Sequence, residues 1–253
     1  MANPVLTEQR FQIGTSTNVV DVGSTTNRMT KAGVLSATGV LLVLLLAGAT
    51  AGWWKFSGLV SGNSGLSHTA TVDLVIEVIL ALVAGIAAAL LPKLAKILGP
   101  IYALTEGFVV GAISSAYNNQ YHGIVVMAVG ATLGVALAVY VLYATGTIKV
   151  TARLRATIMA ATIGVLGFYL VAWLISLIGG TNILSTGGPL GIGISLITAG
   201  VAASNLLLDF DFIDRAIAAG AEKNYEWYSA FGVLVTLVWL YLEILRLLSY
   251  FRR

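Results

Sequence analysis

The sequence predicts an all-α integral membrane protein with seven transmembrane helices. Only 10% of the 253 residues are charged and 58% are hydrophobic, whereas a soluble domain carries about 25% charged residues. A water-soluble protein of this length could not cover its surface with so few charges. In addition, a transmembrane helix needs roughly 20 mostly apolar residues, and the chain has room for seven such spans.

The first two spans are separate apolar runs. The first, from Ala32 to Trp54, contains no charged residue. The second runs from Val72 to about Leu91. Pro92 and Pro100 then bracket a short basic turn, because proline cannot continue a helix interior.

The other five spans are set apart by polar or glycine-rich breaks. The chain has no formal charge from Gly107 to Ile148, and the polar break 117–123 divides this stretch into two helices. It is again uncharged from Ala156 to Leu208, and the break 179–189 separates two more. A last helix runs from about Tyr228 to Tyr250.

The distribution of Lys and Arg predicts a cytoplasmic N-terminus, since these residues concentrate in cytoplasmic loops. Ten of the 14 lie in the N-terminal segment and the even-numbered loops, and the odd-numbered loops hold only Lys55. Residues 1–31 are polar and are predicted to form a disordered cytoplasmic tail. Residues 32–253 are predicted to form one transmembrane domain.

Composition also argues against several classes of function. The net charge of +3 makes nucleic acid a poor candidate partner, and the absence of cysteine excludes disulfides and thiolate metal sites. We find no nucleophile–base pair, zinc-ligand spacing or phosphate-binding loop. His68 and His122 are isolated in different predicted outer loops. The protein is therefore not expected to be an enzyme or to need a cofactor.

Two acidic residues lie inside predicted spans, where an ionisable side chain usually marks an ion or proton path. Glu106 lies in the third span, and its alternative role is that of a hydrogen-bonded packing residue. Glu243 lies nine residues before Arg252, which is about 13 Å along a helix. Arg246, three residues after Glu243, could form an ion pair with it on the same helix face, which is the structural alternative.

Two further groups of acids are candidates. Asp209, Asp211 and Asp214 follow the sixth span, and they are either a cytosolic acidic loop or, because their neighbours are apolar, a partly buried cluster. On a helix, Asp209 and Asp211 point roughly 160° apart, so both cannot face one pore. Asp73 and Glu77 share one face of the second helix. They could serve ion entry on the outer side or interact with the helix dipole.

Two GxxxG motifs predict close packing between helices. Gly107 with Gly111, and Gly130 with Gly134, each place small residues on one helix face. Such faces allow two helix backbones to approach closely. We therefore expect Gly111 and Gly134 to lie at helix contacts.

Motifs along nearly the whole chain resemble the transmembrane Bax-inhibitor-motif family, and in particular its bacterial Bax inhibitor-1-like branch. They are NPVL, RMTKAGV, PIYALTEGFVVGAISSAYN, LLLDFDFI and YEWYSAFGVLVTLVWLYLEILRLL. The resemblance implies a seven-helix bundle with the last helix at its centre, and it suggests the bacterial plasma membrane as the location.

The resemblance also implies a function, a pH-sensitive calcium leak. In this family an aspartate of the sixth helix and an acid of the seventh share a proton and form a latch. By motif position these are Asp211 and Glu243, with Asp209 as a competing partner. Both would also be oxygen ligands for transported Ca²⁺. The partners implied are the lipid bilayer, Ca²⁺ and protons. The other candidate function is a non-conducting membrane scaffold or regulator, for example of a membrane protease.

Overall fold

The computed structural model describes residues 27–60, 68–178 and 188–252. They form seven long helices, and a short 3-10 helix, Pro92–Leu94, precedes the third. The seven are α1 (Lys31–Val60), α2 (His68–Leu90), α3 (Ala95–Gln120), α4 (Ile124–Ala144), α5 (Ala152–Leu177), α6 (Pro189–Ala218) and α7 (Tyr225–Phe251). Each is long and apolar enough to cross a membrane. The predicted all-α fold with seven spans is confirmed.

Two helices extend beyond the bounds that the sequence suggested. α3 begins at Ala95 and contains Pro100, so the predicted turn between the two prolines is wrong. Pro100 lies only five residues into the helix, where the missing N–H removes a single hydrogen bond from the ladder. α6 continues through the acidic cluster to Ala218. The alternative of a cytosolic acidic loop after the sixth span is therefore wrong.

The described residues fall into two compact units. The α1–α3 unit contains α1, α2, α3 to Asn119, and residues 209–235. Its apolar core includes an edge-to-face contact between Tyr102 and Phe231, whose ring centroids lie 5.0 Å apart. The α4–α5 unit contains residues 120–178, α6 from its start to Leu208, and α7 from Thr236 onward. It carries most of the buried polar side chains discussed below.

α7 is the most buried of the spans. In its most apolar stretch 61% of the residues are buried, compared with 17% in α2 and in α4. A helix that faces lipid leaves many apolar side chains uncovered by other protein. The exposed Leu, Ile and Val side chains of α2 and α4 are of this kind. This burial is what the family resemblance implies for the last helix.

The two GxxxG motifs have different surroundings. A Cβ added at Gly107 or Gly111 would collide with the backbone of α1, at Leu45 or Ala49 respectively. At Gly130 and Gly134 it would meet nothing within 4 Å. The expectation is confirmed for Gly111 and wrong for Gly134, because spacing shows only that a smooth face exists, not what covers it.

The segment before α1 is attached to the loop between α6 and α7. Met29 N donates to the carbonyl of Ala221 at 2.8 Å, and Lys223 N donates to the carbonyl of Asn27 at 2.9 Å. Met29 is buried. Residues 27–30, which the sequence assigned to a disordered tail, therefore belong to the fold. Residues 1–26, the rest of the predicted tail, lie outside the described part of the chain.

Candidate functional site

Glu243 lies on one face of α7 together with two other polar side chains. Trp239 precedes it by four residues and Arg246 follows it by three, which places all three on the same side of the helix. Glu243 is 2% exposed. The helical rise places it about 27 Å from the start of α7 and about 12 Å from its end. It is thus a fully buried carboxylate well inside a membrane-spanning helix.

Four side chains donate hydrogen bonds to this carboxylate. Oε1 accepts from the Tyr169 hydroxyl and, at 3.2 Å, from the Trp239 indole. Oε2 accepts from Thr198 Oγ1 at 2.8 Å and from Arg246 Nη1 at 3.4 Å. Tyr169 comes from α5 and Thr198 from α6. Three helices therefore supply donors to Glu243, and we call these five residues the Glu243 cluster.

Arg246 completes the cluster electrostatically. Its Nη1 also donates to the Tyr169 hydroxyl at 2.7 Å, so the guanidinium reaches Glu243 both directly and through Tyr169. A carboxylate accepts about four hydrogen bonds when ionised, and a protonated one must donate. The carboxyl group of Glu243 thus lies within hydrogen-bonding distance of the Arg246 guanidinium and of three further polar groups. The ion pair that the sequence offered as the structural alternative is present, with three further donors around it.

The sequence reasoning missed three members of this cluster. Trp239 could have been found, since it lies four residues before a buried acid on the same helix. Tyr169 and Thr198 carry no such signal, because they meet Glu243 only when α5, α6 and α7 pack together. A tyrosine and a threonine in apolar helices otherwise indicate nothing specific.

The three aspartates of α6 differ in their surroundings. Asp209 is 1% exposed. Asp211 accepts a hydrogen bond from Arg215 Nε at 3.0 Å, one helical turn away. Asp214 pairs with Lys31 of α1 at 2.7 Å, and both of these side chains are solvent-accessible. The pairing of Asp211 with Glu243 stays a prediction from the family resemblance.

The remaining predicted acids lie in the α1–α3 unit. Glu106 lies on α3, about 16 Å from the start of the helix, and is partly buried. Among the described residues no hydrogen bond or ion pair to its side chain is present. Asp73 pairs with Lys55 at 2.9 Å, and Glu77 is partly buried one turn further along α2. Because α2 begins at His68, neither Asp73 nor Glu77 lies in its first turn.

A buried acid that the sequence did not indicate occupies the first turn of α7. Glu226 is 5% exposed and accepts hydrogen bonds from the backbone N–H and the hydroxyl of Thr30, both at 3.0 Å. Thr30 precedes α1, and its hydroxyl also accepts from the Gly33 N–H at 3.0 Å. Glu226 is therefore held at the N-terminal ends of two helices, where the backbone dipoles favour negative charge.

The tentative metal site has no preformed counterpart in the described ranges. Within residues 27–60, 68–178 and 188–252, no group of three or more His, Cys, Asp or Glu side chains could hold a metal ion. Coordination of Ca²⁺ by Asp211 and Glu243 therefore stays a proposal.

Comparison with known proteins agrees with the sequence motifs and the helical fold. The family model described as Bax inhibitor 1 like matches residues 3–253. The chain belongs to this family. A search of curated proteins and a search of solved structures both return no match. Family membership supports an integral membrane protein of this type.

Proposed function

We propose that this protein is a pH-sensitive calcium leak channel or transporter, and not an enzyme. The observation that carries the proposal is the Glu243 cluster, a charged network inside a membrane-spanning helix. An ionised carboxylate in this position is costly unless it is paired and fully hydrogen-bonded. Replacing a buried ion pair by apolar residues is often neutral or stabilising. Stability alone therefore does not require such a network, and ion or proton movement is a reason to have it.

In this proposal, protonation of Glu243 is coupled to rearrangement of the cluster. A proton on this carboxylate would change the network, because at least one partner would have to accept a hydrogen bond, as the Tyr169 and Thr198 hydroxyls can, or move away. Arg246 is the partner expected to move, because a guanidinium cannot accept a hydrogen bond and its Nη1 also binds the Tyr169 hydroxyl. Loss of the negative charge on Glu243 would then release the guanidinium.

The proton-shared latch between Asp211 and Glu243 is part of the proposal as an expectation from the family. Two carboxylates that are close together cannot both ionise cheaply, so one of them holds a proton. Acid is expected to keep the pair together, and rising pH is expected to remove the shared proton and open a polar route. Asp209, which is more deeply buried than Asp211, is the alternative partner. Glu106 is expected to line the same polar interior of the helix bundle as the latch. Asp73 and Glu77 are the residues expected at the outer entry for the ion.

The test is Ca²⁺ entry into liposomes that contain the purified protein, measured with an internal indicator at an acidic and a neutral pH. We expect faster entry at the higher pH. Glu243→Gln keeps size but cannot titrate, so entry should lose its pH dependence. Asp211→Asn should do the same, and the double variant should add little, because coupled groups act as one unit. Glu222→Gln, in the loop before α7, is the matched control and should behave as the wild type.

One result would contradict this proposal, and another would change the partner in the latch. If Glu243→Gln keeps the full pH dependence, the cluster does not carry the switch. If Asp211→Asn keeps it while Asp209→Asn loses it, the partner in the latch is Asp209.

The second candidate function is a non-conducting scaffold or regulator of other membrane proteins. It is favoured by the ion pair between Glu243 and Arg246, which could serve helix packing alone. Ca²⁺ entry equal to that of protein-free liposomes at both pH values would support this second function.

A further inference from the structure

We propose that one face of α6 in the α4–α5 unit holds internal water, which forms a hydrated file leading to Glu243. This α6 polar face consists of Ser195, Thr198 and Asn205, with Thr162 of α5 opposite. The inference rests on the proposed function and deepens it. It names water as the molecule bound next to the Glu243 cluster and as the carrier of protons to Glu243. The hydration itself can be tested without any measurement of ion flux.

Helix geometry places these side chains in one line. Ser195, Thr198 and Asn205 are spaced by three and seven residues, so they fall within roughly 80° of one another around α6 and span about 15 Å. Thr162 and Tyr169 of α5 are likewise seven residues apart. Asn205 bonds Thr162, and Thr198 and Tyr169 both bond Glu243. The two helices therefore meet at two polar levels about 10 Å apart.

Asn205 has an acceptor atom without a partner. Its side chain is 2% exposed, and its Nδ2 donates to Thr162 Oγ1 at 2.7 Å and to the carbonyl of Val201 at 2.9 Å. Thr162 has already donated its own proton to the carbonyl of Ile158, so the amide nitrogen must face it. Oδ1 is then left buried with no donor among the described residues.

Ser195, at the other end of this face, also has a buried polar atom without a partner. It is 1% exposed, and its Oγ has no hydrogen-bond partner within the described ranges. Thr198 Oγ1, one turn further on, lies 2.8 Å from Glu243 Oε2 and 3.1 Å from the backbone carbonyl of Ser195. Both of these bonds leave Ser195 Oγ itself without a partner among the described residues.

Water is the ligand whose hydrogen-bonding chemistry matches these two atoms. A buried polar atom without a partner costs about 1–3 kcal/mol, and internal water removes this cost by making about three hydrogen bonds. A metal ion fits less well, because the described residues provide no cluster of acids or histidines and the one acid nearby is paired with Arg246. The other side of this part of α6 is apolar and exposed, at Leu196 and Ile197.

The test uses single cysteines, since the native chain has none. Ser195→Cys and Asn205→Cys variants in nanodiscs, in which both membrane sides are accessible, are treated with a small charged methanethiosulfonate. The thiolate is the reactive form, and an apolar environment suppresses it. The controls are Ala172→Cys, at a buried apolar site of α5, and Leu196→Cys, on the exposed apolar face. Each rate is divided by that of the same variant denatured in detergent.

We expect both polar-face cysteines to react at least about tenfold faster than the controls. A thiol pKa that is lower by one unit raises the thiolate fraction, and so the rate, by this factor. Ala202→Cys, which lies between them on the same face, is the second reporter for the case that Asn205→Cys does not fold. Rates for Ser195→Cys and Ala202→Cys equal to that of Ala172→Cys would overturn the hydrated file. Fast labelling without Ca²⁺ entry would support the file and reject the leak, so the two proposals fail separately.

Discussion

The two compact units differ in how their helices pack and in which groups bind their buried acid. In the α1–α3 unit, Gly107 and Gly111 of α3 press against the backbone of α1, and the buried acid Glu226 is held by groups at helix ends. In the α4–α5 unit, a Cβ added at Gly130 or Gly134 of α4 would meet nothing within 4 Å, and the buried acid Glu243 accepts hydrogen bonds from four side chains.

This difference indicates where movement is possible. A backbone N–H at a helix end is fixed once the helix has formed, and Glu226 accepts one of its two hydrogen bonds from such a group, the Thr30 N–H. Side-chain donors can change rotamer, so the network around Glu243 can rearrange when its charge changes. The proposed function therefore rests on the α4–α5 unit, which contains the Glu243 cluster.

The largest expected effect is on the ion pair of the Glu243 cluster. Glu243→Gln or Arg246→Gln alone leaves one charge without its partner and should lower the free energy of unfolding by about 3 kcal/mol, the lower end for buried pairs because Arg246 is partly exposed. The double variant should lose clearly less than the sum of the two. Denaturant titration in mixed micelles measures this, and additive losses would show that the two side chains are not coupled.

The next effect compares the two glycine motifs directly. Gly111→Ala should cost about 1–3 kcal/mol, because the new methyl group collides with the carbonyl of Ala49. Gly134→Ala is the matched control and should be neutral or stabilising by up to about 1 kcal/mol, since alanine favours the helix. The same titration checks both variants. Equal losses in the free energy of unfolding at the two positions would show that the two glycine motifs do not differ in packing.

A smaller effect is expected at the link between α1 and α7. Thr30→Ala removes a helix cap and one hydrogen bond to Glu226, so we expect a loss of about 0.5–2 kcal/mol in the free energy of unfolding. Thr50→Ala, whose hydroxyl is exposed and bonds only its own helix, is the control. Calcium entry by Thr30→Ala should keep its pH dependence. A flux change like that of Glu243→Gln would show that Glu226 is not purely structural.

The smallest effect concerns the surface. Asp214→Asn breaks an accessible ion pair with Lys31, which is worth about 0.2–1 kcal/mol and weakens as salt screens it. The unfolding temperature of the wild type should be higher at low salt than at high salt. At high salt it should approach the unfolding temperature of the variant. A salt-independent loss above this range would mean that Asp214 has a structural role beyond this pair.

Several features of the site were accessible to sequence reasoning, and others were not. A carboxylate in the middle of an apolar run is conspicuous, which is why Glu106 and Glu243 were identified. The spacing of three residues identified Arg246 as a partner. Thr198 and Tyr169 could not be identified, because a hydroxyl in an apolar helix has the same local pattern whether it faces a carboxylate or its own backbone. Glu226 was overlooked because its donors lie almost 200 residues away, at Thr30.

The sequence by itself determined the membrane class and the number of spans, because the cost of placing charge in lipid is a property of composition and run length. It also determined the family, through motifs along the whole chain. Only the tertiary structure decided which GxxxG face is covered, how far α6 extends, and which donors surround Glu243. These depend on contacts between helices distant in sequence, and the periodicity of a single helix shows which residues share a face but not what lies opposite that face.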